Sequence, residues 1–435
     1  MIIASRRGTT GALLVACAWL TACDRPEPVS QPATLPTGYW QASIELPGGL
    51  IETGIEISFD GTAYSASVVN GQERVRIDEV SFTGGSLLLR FPAFNNEIRA
   101  TLIEGSLVGE LTLVKRFGDT QVMPFAARPG SMTDAEMNAS ANHDLSGRWA
   151  VRFHEPDGTD TASIGEFAQR GSRLFGTFLN PNGDHRFLAG HVRGDEFHLS
   201  TFDGAHAFIF SGSIDKEGAI VDADFWSGTS WHQKWSAERN ENVSLPDAFS
   251  RTFLKPGYER FEFAFPNEDG VTASLDDEKY RDKVVMVTLA GTWCPNCNDE
   301  ARYLAPFYSR YRDQGLEIVA LMFEHFEDHD VAAEQVRRFR AKHGIEYDTL
   351  IAGVSDKTEA GKVLPSLSAV LAFPTTIFID RDGRVRRIHT GFAGPGTGEH
   401  FVRLQRQFTD LVTELLAEPP NLIESLTSDQ NADEI

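Results

Sequence analysis

The chain is expected to fold as an all-β N-terminal region of two similar small barrel or sandwich modules, followed by an α/β domain whose mixed central sheet is flanked by helices. Three observations predict this. From Gly38 to Ala127, and again from Leu145 to about Arg239, short alternating strands are broken by turn signals such as Pro47, Gly48, Gly49 and Asp60, Gly61. The two stretches echo each other about 110 residues apart: Gly38, Tyr39, Trp40 return as Gly147, Arg148, Trp149, and Gly84, Leu87, Leu89 as Gly194, Phe197, Leu199. Beyond them an apolar, β-branched run from Val284 to Leu289 marks a strand buried on both faces, and helix signals follow it at once.

Residues 1–23 are expected to be a targeting segment. Arg6 and Arg7 precede a short apolar core from Gly11 to Leu20, and Leu20, Thr21, Ala22, Cys23 resemble a bacterial lipobox. The apolar run is short for a membrane span. Cys23 would then be the lipid-carrying N-terminus of the mature chain, and Asp24 resembles the signal that keeps such lipoproteins in an inner membrane. Residues 24–37, rich in Pro, Gln and Thr, suit an extended tether. With 40 basic and 62 acidic residues the chain carries a net charge of −22. That balance, without a basic stripe, argues against nucleic-acid binding.

Several short strands at regular spacing suit one small barrel or sandwich in 38–127 and another in 145–240, joined by a linker over 128–144. Phe197, Phe202, Phe208, Phe210, Phe225, Trp226 and Trp231 crowd the second module. They are expected to be mainly alternating core residues, the alternative being a platform for a partner protein or glycan.

In the α/β part, Cys294 sits where the buried strand stops, and Pro295, Asn296, Cys297, Asn298, Asp299, Glu300 form a first helical turn. Proline suits that place because its missing N–H has no intrahelical partner there. The first thiol meets unpaired N–H groups and the positive end of the helix dipole, which favour a thiolate. Cys294 is therefore the candidate nucleophile, forming a mixed disulfide that Cys297, one turn on, resolves. Removal of Cys17 with the signal and lipidation of Cys23 leave this as the one thiol pair of the mature chain. Zinc needs four ligands, and no second cysteine pair follows; His325 and His329 are the candidates to complete such a site, but no metal and no cofactor is expected. A structural disulfide closing so short a loop would restrain the unfolded chain little.

These residues, together with Ala372, Phe373, Pro374, Thr375, Thr376, Ile377, Phe378, Ile379, Asp380, resemble the thioredoxin-like disulfide reductases of bacterial envelopes, the TlpA and ResA type, over roughly 256–417. The resemblance implies a cis proline at Pro374, facing the cysteines, with Trp293, Phe373, Pro374 and Thr375 near the substrate. It also implies an acid near the active site at Glu300. Three positions depart from the pattern. The buried acid that thioredoxin carries six residues before its first cysteine is Thr288 here, leaving proton transfer to Glu300 or water. Proline follows the first cysteine rather than preceding the second, and Arg302 replaces a common proline, with Pro306 one turn later expected to kink the helix.

Further elements are expected in order. Phe261, Glu262, Phe263 and the turn Asp269, Gly270 suit an added hairpin. Leu304, Phe307, Tyr308 and Tyr311 recur at helical spacing, and Gly315 ends that helix before a buried strand Leu316–Phe323. Glu324, His325, Glu327, Asp328, His329 and Asp330 then emerge on the sheet edge that carries Cys294. They are expected mainly as a solvated loop and helix start, with proton shuttling or metal binding as the alternative. A helix over Val331–His343, a short strand at Leu350 and Ile351, a helix over Lys357–Leu364, a closing hairpin from Thr375 to His389, a last helix over Glu399–Leu416 and an acidic tail over 418–435 complete the chain.

The function expected from this is an envelope thiol–disulfide oxidoreductase. The resemblance implies mainly reduction, of clients such as apocytochrome c or copper-site cysteines, with electrons from a membrane-bound donor. One alternative is a thiol peroxidase of the peroxiredoxin group, but that motif places threonine three and proline seven residues before its cysteine, where this chain has Gly291 and Val287. The other is a redox-linked binding or scaffold protein that works through the β modules.

Overall fold

The computed structural model describes residues 34–130 and 141–419. The targeting segment with Cys23, most of the tether, residues 131–140 of the linker and residues 420–435 of the tail lie outside the described residues.

Both β modules are antiparallel meanders that curl until first and last strands meet. In the first, strand Gly38–Leu46 pairs with its successor Gly49–Phe59 and with the last strand Thr120–Pro129. Its seam lies between the short strands Glu73–Arg76 and Glu79–Thr83, which share no ladder. In the second, Gly147–His154 pairs with Trp231–Arg239, and Asp160–Arg170 pairs with Arg173–Asn180, which pairs in turn with Leu188–Arg193. The ring is thus continuous and leaves no open edge.

The echoed residues do the same job twice. Trp40 and Trp149 are fully buried. Each donates its indole N–H to the carbonyl four residues upstream, Pro36 at 3.1 Å and Leu145 at 2.9 Å. Gly84 and Gly194 turn equivalent hairpins with φ near +60°, a conformation that favours glycine. The aromatics of the second module are mostly core: Phe210 stacks on Phe178 and Phe225, both at 4.4 Å. Trp231 alone of the named set is well exposed. The barrels pack on each other through Phe91 against Phe202, and through Asn70 and Asn96, whose amides donate to the carbonyls of Phe202 and Gly204 at 2.8 Å.

The α/β domain has a five-stranded sheet in the order Asp348–Val354, Leu316–Glu324, Val284–Ala290, Thr375–Ile379, Val385–Thr390. All seven residues of the central strand Val284–Ala290 are buried, as its composition predicts. The first three strands run parallel and the last two antiparallel to their neighbours. Helices Pro295–Tyr311, His329–His343, Lys357–Val363 and Glu399–Ala417 accompany them. The first continues past Pro306 as a single element. Asp328 and Asp356 cap the next two by accepting from the N–H groups of their first turns.

The added hairpin pairs Ala264–Pro266 with Thr272–Ser274, later than the aromatic pattern suggested. Phe261 and Phe263 instead anchor the preceding segment in the core, so their alternation marked burial rather than pairing.

Candidate active site

The central strand ends at Ala290, and Gly291 makes the exit possible. A side chain there would collide with the Trp293 indole and the Phe323 carbonyl, which are themselves joined by an N–H···O bond of 2.8 Å. Cys294, in extended conformation, is the N-cap of helix Pro295–Tyr311, with Pro295 in the first helical position. Its sulfur accepts the N–H of Cys297 at 3.3 Å, and the thiol donates to the Phe373 carbonyl at 3.4 Å. The Phe373–Pro374 bond is cis. Asn298 fixes the turn by donating to the carbonyls of Thr292 and Cys294, and accepts from His343 at 2.8 Å. Both cysteines are free thiols, on one helix start, exposed by only 5 % at Cys294 and 1 % at Cys297. Burial, then the adjacent sulfur and Glu300, push the Cys297 thiol well up.

Glu300 faces the sheet under this turn. It is buried, and its two oxygens accept from the hydroxyls of Thr288 at 2.5 Å and Thr376 at 2.6 Å. The strand position where thioredoxin carries an acid thus holds a threonine that touches an acid supplied by the helix. Burial pushes Glu300 up to about 7 against the pull of the two hydroxyls. Trp293 and Phe373 meet edge to face at 6.0 Å beside Cys294. Thr375 is fully buried, its hydroxyl donating to the Ala372 carbonyl at 2.9 Å, so it braces the cis-proline turn.

The acidic stretch after Leu316–Glu324 divides. Glu327, Asp328 and Asp330 are exposed, as expected for a loop and helix start. Glu324 is not solvated: it is buried, accepts from the Thr292 N–H at 3.0 Å and hydroxyl at 2.6 Å, and is pushed up to about 7 by burial. His325 lies flat against Trp293 at 4.8 Å and pairs with Ser355, and burial lowers it to about 4, so it is neutral. His329 donates to the Asn267 carbonyl at 3.1 Å.

Among known proteins, the Redoxin family model matches residues 251–400. The thiol-disulfide oxidoreductase ResA of Halalkalibacterium halodurans is 26% identical over 154 residues, covering 35% of this chain and 79% of its own. ResA of Bacillus thuringiensis subsp. konkukian is 30% identical over 132 residues, covering 30% of this chain and 68% of its own. The chain belongs to the ResA family of thiol-disulfide oxidoreductases. It is an enzyme, a thiol-disulfide oxidoreductase. Among solved structures, a thiol:disulfide interchange protein of the thioredoxin family from Chlorobium tepidum TLS matches at 18% identity, with TM-score 0.28, over 40% of this chain and 99% of that one.

This ResA-family chain adds a junction that the sequence did not disclose. Asn296, between the two cysteines, donates its amide to Asp184 of the second barrel at 3.1 Å and to the Phe392 carbonyl at 3.2 Å. Arg186, two residues beyond Asp184, is buried with its guanidinium among Asp299 of the catalytic helix, Glu73 of the first barrel and Asp203 of the second. It also donates to the Pro295 carbonyl at 3.3 Å. Its Nε lies 3.1 Å from Asp203 but outside hydrogen-bond alignment, so that contact is an ion pair only. Burial opposes the charge on Arg186, and the carboxylates outweigh it. Burial raises Asp184 to about 6 and also raises Glu73 and Asp299, whereas His206 and Arg186 overcome burial to hold Asp203 below the ordinary range. On the other side of the site, the Phe117 N–H of the first barrel donates to the His325 carbonyl, and Arg116 pairs with Asp356. The one signal of all this in the sequence was asparagine at 296, where related reductases place proline.

Proposed function

We propose that the chain is an envelope reductase of protein disulfides in which Cys294 attacks and Cys297 resolves. The Cys294 thiolate attacks one client sulfur, forming a mixed disulfide and releasing the other client sulfur as a thiolate, which takes a proton. Glu300 in its ionised form accepts the proton of Cys297, whose sulfur then attacks Cys294 and expels the second client thiolate. Two electrons pass to the client, leaving a Cys294–Cys297 disulfide that a membrane-bound dithiol donor must reduce.

The observation that carries this reading is the seat of the Cys294 sulfur between the Cys297 N–H and the Phe373 carbonyl, beside the cis proline. Trp293, Phe373 and Pro374 line the approach. Because Cys294 is only 5 % exposed, a client is bound through an opening movement that brings its disulfide onto the sulfur. The lipobox-like run ending at Cys23 supports lipid attachment, and Asp24 favours the inner membrane. Apocytochrome c and copper-site cysteines are the client classes that the family resemblance favours. No helix among the described residues is long and apolar enough to cross a membrane.

The test is a trap. With Cys297→Ser, incubation with a disulfide-bonded protein should accumulate a mixed disulfide that peptide mapping places on Cys294. Failure to form it, with the same client trapped through Cys297 in Cys294→Ser, would reverse the roles.

A further inference from the structure

We propose that Arg186, carried by the second barrel, is a positioning residue for the dithiol: it fixes the first turn of the catalytic helix and so the N–H that faces the Cys294 sulfur. The inference rests on Cys294 being the attacking thiol and adds a remote residue that acts on it through the helix.

Arg186 occupies a left-handed backbone conformation, φ +59°, that costs an ordinary residue about 1 kcal/mol. It is held there by Asp184, which accepts its N–H at 2.6 Å. A strained residue persists where its surroundings over-determine it, and such residues gather at functional sites. Stability is a weak reason for the arrangement, since buried ion clusters are commonly replaced by apolar residues without loss. The contacts point elsewhere. One guanidinium nitrogen reaches both the Pro295 carbonyl and Asp299, and these residues bracket Cys297. From the same hairpin tip, Asp184 holds Asn296 and the Gly394 N–H. The second barrel therefore grips the helix start at three of its first five residues, and the 3.3 Å contact from the Cys297 N–H to the sulfur lengthens if that turn shifts.

The test uses the full chain. Arg186→Lys keeps the charge and loses the fork. The rate of Cys294 alkylation by iodoacetamide at neutral pH should fall about threefold, and the dithiol–disulfide equilibrium with glutathione should shift about threefold toward the disulfide, because the thiolate loses a donor. Asp299→Asn, which leaves the guanidinium in place, should change both in the same direction by a smaller factor and decides the matter if Arg186→Lys does not fold. The two explanations differ in sign here, since by charge alone the removal of a nearby carboxylate favours the thiolate and speeds alkylation. Folded variants with unchanged alkylation and equilibrium, or a faster Asp299→Asn, would overturn the proposal. If iodoacetamide fails to reach Cys294 first in the unaltered protein, the reading of the nucleophile fails instead.

Discussion

Toward the sheet, helix Pro295–Tyr311 presents Glu300, whose oxygens are met by the neutral hydroxyls of Thr288 and Thr376; toward the barrels it presents Asp299, met by the guanidiniums of Arg186 and Arg302. Burial pushes both carboxyls up, but only Asp299 has cations pulling the other way. A carboxyl near 7 with neutral partners changes protonation at working pH and can serve proton transfer. One locked against guanidiniums holds geometry. In the proposed mechanism the same helix thus keeps its chemistry on one side and its mounting on the other.

Glu300→Gln should have the largest effect. Turnover on a protein disulfide should fall about 10- to 100-fold, and the rise of activity with pH through about 7 should flatten. Stability should depend on pH as well. The folded value near 7 lies above the ordinary 4.5, so the stability linked to the bound proton is complete below pH 4.5 and is lost as pH rises through 7. One such fully buried group contributes on the order of 3 kcal/mol to that loss. Denaturant unfolding at pH 5 and pH 8 should show the unaltered protein weaker at pH 8 and Glu300→Gln with a smaller difference.

Thr288→Val should act more mildly. Removing one donor to the carboxylate moves the activity midpoint to higher pH and slows turnover at pH 7 by about threefold. A downward move would show that the hydroxyl does not favour the ionised form. The smallest effect belongs to the partly exposed bridge between Lys342 and Asp78, which links the catalytic domain to the first barrel. Lys342→Ala should cost under about 1 kcal/mol in thermal or denaturant unfolding and leave turnover within about twofold.

Much of the inner side was legible in the sequence, because its signals are local. The run Val284–Leu289, the Cys294–Cys297 spacing and Pro295 state a strand, a turn and a helix start within 20 residues, and the family resemblance supplied Pro374 and Glu300. The paired barrels were legible for a similar reason, since each strand and turn repeats after about 110 residues. The outer side was not. Arg186 meets Asp299 and Glu73 each across 113 residues, and no periodicity connects them. Glu324 was misplaced because an acid beside two histidines and three more acids looks like solvated loop. Only its contact with Thr292, 32 residues away, shows that it closes the strand inside the core.

The reduction potential of the Cys294–Cys297 couple separates a reductase from an oxidant. Burial, the adjacent sulfur and the nearby carboxyl disfavour a thiolate at Cys297, which destabilises the dithiol relative to the disulfide, as the proposed reductase requires. Equilibration with glutathione or thioredoxin should therefore give a value near about −270 mV, the range of a reductase. A value near about −120 mV would mark an oxidant and overturn the proposed direction of electron flow.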